Sequence, residues 1–110
     1  MKKYIEVKPN RNATHIEIEV YYNLGGYNYF TGKSEDRGYY LSVSPVERRK
    51  NDFGITISYT AFSGIKQCIK PVSRKSEKAK QEAERIAPNF EKDLIRYVCE
   101  KNGLEIMGEN

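Results

Sequence analysis

Apolar and polar residues alternate strictly between Thr14 and Leu24, and this alternation predicts a long β-strand. The even-numbered positions from 16 to 24 are aliphatic or tyrosine, whereas His15, Glu17 and Glu19 occupy odd-numbered positions. Successive side chains of a strand point to opposite faces of its sheet, so one face is expected to be buried and the other wet.

Further extended segments predict an antiparallel meander of about four strands with one wet face. The additional strands are predicted at 27–31, 39–44 and 53–62, and residues 3–7 are a shorter candidate strand. A polar turn is expected between Thr31 and Tyr39, and a second, charged turn at 48–52. Pro45 is expected to end its strand or place it at an edge, because proline cannot donate a ladder hydrogen bond.

The second half of the chain changes to helical periodicity. Apolar residues recur there at spacings of three and four: Ala79, Ala83, Ile86, Phe90, Leu94, Tyr97 and Val98. Ser73 or Ser76 is expected to cap the start, where a hydroxyl can accept a hydrogen bond from a free amide. Gly103 is expected to end the helix in the left-handed conformation.

Pro88 interrupts this periodic segment and leaves two interpretations. One is a single helix over 76–102, kinked where proline removes a backbone donor. The other is two helices, the second capped by Asn89. The apolar stripe continues in phase across Pro88, which favours the kinked helix.

These elements predict one α+β domain with two layers, since an apolar sheet face and an apolar helix stripe must bury each other. The predicted organisation is an antiparallel sheet over 1–64, a basic connection over 65–75, one or two helices over 76–102, and a tail over 103–110. Leu104 to Met107 would return as a short strand. No apolar run is long enough to predict a membrane span.

Positive charge is concentrated in one short segment. The chain carries a net charge of +4, but residues 66–80 hold six basic side chains against Glu77 alone, which makes +5. The residues before this segment sum to +2 and those after it to −3. A local positive field of this kind is expected at a site for a polyanion or an acidic partner.

The predicted primary site joins this segment to a helix stripe. A row of basic side chains would run along the predicted helix at spacings of 4, 7, 7 and 4, formed by Arg74, Lys78, Arg85, Lys92 and Arg96. The candidate binding residues are Lys66, Lys70, Arg74, Lys75, Lys78, Arg85, Lys92 and Arg96. An ordinary solvated helix with mixed charges would show a similar pattern.

Tyrosine is abundant, with nine residues, and suggests a second surface. Aromatic rings can stack on bases while neighbouring cations neutralise phosphates. The candidates for this aromatic and basic surface are Tyr27, Tyr29, Tyr40, Arg48, Arg49 and Lys50. Glu17 and Glu19 share the wet sheet face and would repel phosphates there.

No pattern of catalytic residues is found, so no enzyme, cofactor or metal site is predicted. Gly32-Lys33-Ser34 matches the end of a phosphate-binding loop, but that loop needs glycine where Tyr27 stands, and no helix is predicted after Ser34. His15 has no second metal ligand nearby in sequence. Cys68 and Cys99 lack CxxC spacing, which favours reduced thiols in a cytoplasmic protein.

The sequence therefore predicts a small cytoplasmic binding protein that contacts nucleic acid or a nucleoprotein. The alternative is a protein-binding inhibitor or adaptor of phage or mobile-element type, for example an inhibitor of a host defence nuclease such as an anti-CRISPR protein. An exposed apolar rim on the kinked helix would also allow two copies to pair.

Overall fold

The computed structural model describes residues 2–108, which form strands followed by two helices. The strands are β1 (Lys2–Asn10), β2 (Ala13–Asn23), β3 (Gly26–Asn28), β4 (Lys33–Glu35), β5 (Gly38–Lys50), β6 (Thr56–Thr60) and β7 (Ile65–Pro71). The helices are α1 (Glu77–Ile86) and α2 (Pro88–Asn102). The α+β class and the antiparallel sheet are confirmed, but the predictions of about four strands and of one long helix are wrong.

β5 is the central strand of a five-stranded antiparallel sheet. β2 pairs along one side of β5, and β1 pairs with β2. The other side of β5 is shared, because β7 pairs with residues 38–43 and β6 pairs with residues 46–50. β3 and β4 form a separate two-stranded hairpin.

β5 runs straight through Pro45, so the expectation that Pro45 ends this strand is wrong. The Pro45 carbonyl accepts a hydrogen bond from the Ala61 amide at 3.1 Å. The N–H and C=O of one strand residue point to the same side, so the missing N–H lies on this side too. On this side, the pairing of β5 with β7 reaches only to Val43, and its pairing with β6 starts at Val46. Pro45 therefore sits where β5 has no ladder bond to lose.

Three segments predicted as connections are partly strands. The supposed basic connection over 65–75 contains β7, whose Ile69 is buried in the core. Residues 33–35 form β4 rather than a turn, and residues 48–50 end β5, so that the charged turn begins at Asn51. Lysine and arginine are tolerated in each strand because these strands lie at edges or have one wet face.

The helices begin and end as their local sequences indicate. Ser76 is the N-cap of α1, and its Oγ accepts a hydrogen bond from the Ala79 amide at 3.1 Å. Gly103 follows α2 in the left-handed conformation with φ of 65°. Both of these predictions are confirmed.

Pro88 starts α2 instead of kinking a continuous helix. Ala87 keeps helical angles, and its carbonyl accepts hydrogen bonds from the Phe90 and Glu91 amides. Pro88 occupies the first helical position, where an amide donor is not needed and φ is already suitable. Asn89 thus lies inside α2 and is not its cap.

The core lies between one sheet face, here called the helix face, and the two helices. Its buried residues include Ile16 and Ile18 of β2, Leu41 and Val43 of β5, Ala83 of α1, and Leu94 and Val98 of α2. The chain after α2 returns to the sheet beside β1, through an isolated bridge between Val7 and Ile106. The predicted tail strand is therefore reduced to one bridge. None of the helices within residues 2–108 is long and apolar enough to cross a membrane.

Candidate binding surface at the hairpin end

Two segments leave the sheet at the same end. Gly38, the first residue of β5, pairs with Asn23 at the end of β2 and with Pro71 at the end of β7. Residues 24–37 and 72–78 therefore start side by side, and we call them together the hairpin end. The Val72 amide donates to the Arg37 carbonyl at 3.2 Å, which ties the two segments together.

The β3–β4 hairpin exposes an unusual amount of apolar surface. Leu24 and Tyr27 are more than half exposed, and Tyr29 and Phe30 are 88% and 102% exposed. Tyr27 and Tyr29 contact each other edge to face, with ring centroids 4.9 Å apart. Because solvation of large apolar side chains is unfavourable, such a cluster makes this hairpin a candidate binding surface.

The tip of this hairpin is held by a side-chain hydrogen bond. Oδ1 of Asn28 accepts from the Phe30 amide at 2.9 Å and from the Thr31 amide at 3.3 Å. The Gly32 amide donates to the Asn28 carbonyl, and Gly32 has φ of 71°. Asparagine and glycine together satisfy the turn. Phe30 is consequently displayed by a structured turn.

Glu35 fixes the hairpin to the sheet. Its carboxylate accepts from Lys66 Nζ at 2.8 Å and from the side-chain amides of Asn23 and Asn28 at 3.4 Å. The hydrogen bond from Lys66 is the main reason that the pKa of Glu35 lies below its ordinary value of 4.5. Tyr40, beneath the hairpin, is 5% exposed and donates its hydroxyl to the Asp36 carbonyl at 2.7 Å.

We expect acid to loosen this attachment. A carboxyl whose pKa is lowered on folding stabilises the folded state above its unfolded pKa, and this contribution is lost as pH falls through the folded pKa. The hairpin should therefore loosen below about pH 4.5. Chemical shifts of the Asn28 to Gly32 amides, followed by NMR over pH 2–6, should report the change. Glu35→Gln should abolish that pH dependence.

Lys66→Met supplies the matched control for this titration. Without the ammonium group, the pKa of Glu35 should rise toward 4.5. A wild-type Glu35 that titrates at or above 4.5 would show that Lys66 does not stabilise the carboxylate.

Five exposed cations in the two segments of the hairpin end form no ion pair with any residue in the described chain: Lys33, Arg37, Arg74, Lys75 and Lys78. Arg37 is positioned by a hydrogen bond of 2.8 Å from its Nε to the Leu24 carbonyl. Glu35 is paired with Lys66, so Asp36 and Glu77 are the remaining carboxylates of these two segments, and the cations outnumber them. The hairpin end therefore combines exposed aromatic rings with positive charge.

The predicted primary site is divided by the fold. Lys66 and Lys70 lie on opposite faces of β7, because the pairing of β7 with β5 shifts register between Tyr39 and Tyr40. Lys66 pairs with Glu35 on the open face, the sheet face away from the helices, and Lys70 pairs with Glu82 of α1. Both lysines thus already have structural partners. Within residues 2–108, Arg74, Lys75 and Lys78 form no ion pair, although the charge of Lys78 helps to lower the pKa of Glu82.

The remaining residues of the predicted stripe occupy two different places. Arg85 lies on α1, and its charge contributes to the lowered pKa of the Glu82 carboxyl after the charges of Lys70 and Lys78. Lys92 and Arg96 line a groove between α2 and β1. The stripe is divided between the two helices that meet at Ala87.

The predicted aromatic and basic surface is divided as well. Tyr27 and Tyr29 lie together on the hairpin, but Tyr40 is buried below it. Residues 48–50 lie at the far end of β5, roughly 30 Å from Tyr40 at 3.4 Å per residue. There the Arg48 guanidinium stacks over Tyr4 at 3.8 Å and Arg49 lies over Tyr59 at 4.7 Å.

Sequence reasoning missed Leu24, Phe30, Lys33 and Arg37. Phe30 was placed inside a predicted strand, and Lys33 and Arg37 in a polar turn without a function. A signal was available, because Asn28 and Gly32 flank Phe30 at positions typical of a tight turn. The adjacency of Arg37 to residues 72–78 depends on strand pairing and had no local signal.

The described residues offer no other evident chemical site. No cluster of three or more histidine, cysteine, aspartate or glutamate side chains in residues 2–108 is arranged to hold a metal ion. Burial raises the pKa of the Cys68 thiol, which keeps it protonated at neutral pH. Comparisons with protein-family models, with curated proteins and with solved structures give no match to this chain.

Proposed function

We propose that this chain is a non-enzymatic protein that binds single-stranded nucleic acid at its hairpin end. The observation that supports it most is that Tyr29 and Phe30, almost fully exposed, leave the same end of the sheet as cations that form no ion pair within residues 2–108. Stacking platforms next to a positive surface are how proteins hold single strands without reading a fixed sequence.

The two kinds of side chain have separate roles. Bases stack on the rings of Tyr27, Tyr29 and Phe30, and each stacked base contributes about 1–3 kcal/mol. The five cations neutralise phosphates and release counterions. At about 0.7 per phosphate in a single strand, five contacts give a slope of log K against log salt of about −3.5.

The rings favour a single strand over a duplex. In a duplex the faces of the bases are already stacked on one another, so a protruding phenylalanine finds no free face. In a single strand the bases can separate and cover Phe30 and Tyr29, which removes this apolar surface from water. Binding therefore offsets the cost of exposing the hairpin rings.

Fluorescence anisotropy of labelled single-stranded DNA, single-stranded RNA and duplex DNA at two salt concentrations tests the proposal. Phe30→Ala should weaken single-strand binding by about 5- to 150-fold, equal to 1–3 kcal/mol, and leave the salt slope unchanged. Lys75→Ala and Lys78→Ala should each reduce the slope by about 0.7. Phe53→Ala is the matched control, because Phe53 is 86% exposed at the opposite end of β5.

Two results would contradict this function. One is the absence of binding to any single strand at low salt. The other is a loss in Phe53→Ala as large as that in Phe30→Ala, since the hairpin rings would then have no special role.

A protein-binding inhibitor or adaptor is the second candidate, favoured by the exposed aliphatic Leu24 at the base of the hairpin that carries Phe30 at its tip. An apolar pair of this kind suits a pocket on a protein partner better than it suits bases. If single strands are not bound while a pull-down returns one stoichiometric protein, and Phe30→Ala releases it, the inhibitor function is supported. Retention of that protein by Phe30→Ala would argue against it.

A further inference from the structure

A groove of about 960 Å³ lies between α2 and the edge strand β1, away from the hairpin end. Its apolar floor is formed by half-buried side chains of Ile5, Ile95, Cys99 and Ile106. These residues pack against the core on one side and meet solvent on the other. The groove is therefore an apolar surface that the helices leave partly uncovered.

The charges at the rim of this groove are separated along α2. From the start of α2 to Arg96, near the middle of the helix, the rim carries Lys3, Lys92 and Arg96 with Glu91, a net charge of +2. The end near the close of α2 carries Glu100 and Glu105, a net charge of −2. Equal and opposite charges at the two ends of one apolar groove make a surface that is complementary to itself.

We propose that this groove is the interface of a homodimer, in which α2 of a second copy lies antiparallel along it. A two-fold axis requires each surface to meet the same surface in the reverse direction. The residue numbers fit such an axis near position 98. Arg96 would face Glu100 of the second copy, because both lie two positions from this axis. Lys92 would lie opposite the end of the second α2, where the following segment carries Glu105.

Some charges at the rim of the groove are not neutralised within one copy, and a second copy would neutralise them. Glu100 lies in the last turn of α2, where the carbonyl ends of the helix disfavour a carboxylate. Two existing ion pairs at the rim, Lys8–Glu105 and Asp93–Arg96, are weak because both are highly exposed, whereas Lys3 pairs with the less exposed Glu91. A second antiparallel copy would bring Arg96 to Glu100 and shield the apolar floor from water.

Sedimentation equilibrium of the full chain, over a range of concentrations, tests the interface. The wild type should approach twice the 12.8 kDa monomer mass. Arg96→Glu should raise the dimer dissociation constant at least tenfold, because it places like charges together twice across the axis. The double variant Arg96→Glu/Glu100→Arg should restore the wild-type constant. Lys101→Glu is the control, an exposed cation of α2 that does not line the groove.

A second measurement uses two complementary variants. Lys92→Glu/Arg96→Glu and Glu100→Lys/Glu105→Lys should each be monomeric alone and should form a one-to-one heterodimer when mixed. A monomeric wild type at several hundred micromolar would overturn the proposal, as would equal dimerisation of wild type and Arg96→Glu. Circular dichroism confirms that each variant is folded, and the result is independent of nucleic-acid binding at the hairpin end.

Discussion

Replacing Leu41 with alanine should lower the free energy of unfolding by about 2–5 kcal/mol. Leu41 lies in the middle of β5, the strand that pairs on both sides, and its side chain has no solvent exposure. Truncation removes apolar surface from the centre of the core and leaves a cavity, because packed neighbours relax only partly. Urea unfolding followed by circular dichroism measures the loss.

Leu24→Ala is the matched control, since the same side chain is 68% exposed on the hairpin. This variant should change stability by less than about 0.5 kcal/mol. If both leucine variants lost equal stability, Leu41 could not be at the centre of the core. Leu24→Ala would at the same time show whether the hairpin contributes to binding without contributing to folding.

Replacing Gly38 with alanine should be similarly destabilising, for a backbone reason. Gly38 has φ of 153°, which side chains rarely adopt. An added Cβ would lie 2.8 Å from the Pro71 Cα and even closer to the Lys70 carbonyl oxygen. Backbone strain costs about 1–3 kcal/mol, and overpacking against main-chain atoms costs a similar amount. The β5–β7 pairing would have to open to relieve the contact.

Comparison with Gly54→Ala separates the cost of backbone strain from the cost of the steric contact at Gly38. Gly54 also has positive φ, of 77°, but a Cβ there would meet nothing within 4 Å. Its substitution should cost about 1 kcal/mol, clearly less than that of Gly38. Thermal unfolding of both variants makes the comparison, and equal losses would rule out the close approach at Gly38. Because Gly38 holds residues 24–37 beside 72–78, its substitution should also lower the affinity for any ligand that binds at the hairpin end.

Elements with a strong local signal could be predicted from the sequence. The alternation over 14–24 gave β2, and the capping chemistry of Ser76 and Gly103 placed the start of α1 and the end of α2. These signals come from residues a few positions apart. β7 was missed because Ile65 and Ile69 are each followed by a lysine, so the segment was interpreted as a basic connection. The continuity of β5 was missed because Pro45 is tolerated only at the position between the β7 and β6 pairings.

The candidate site was predicted only in part for the same reason. Arg74, Lys75 and Lys78 were named from their charge, and Tyr27 and Tyr29 from their type, but nothing in the sequence joined the two groups. Strand pairing at Gly38 joins them and adds Arg37 and Phe30 to the same end of the sheet. Adjacency between segments that are distant in sequence is set by topology, which local patterns do not encode.

The sequence by itself determined the class of the fold, the faces of β2, the helical caps and the concentration of positive charge in 66–80. Only the tertiary structure decided which of these charges are available to a ligand. Lys66 forms an ion pair with Glu35, 31 residues away, and Lys70 forms one with Glu82. Tyr40 is buried beneath the hairpin. Ion pairing and burial depend on which side chains the folded chain brings together, so composition alone overstates the binding site.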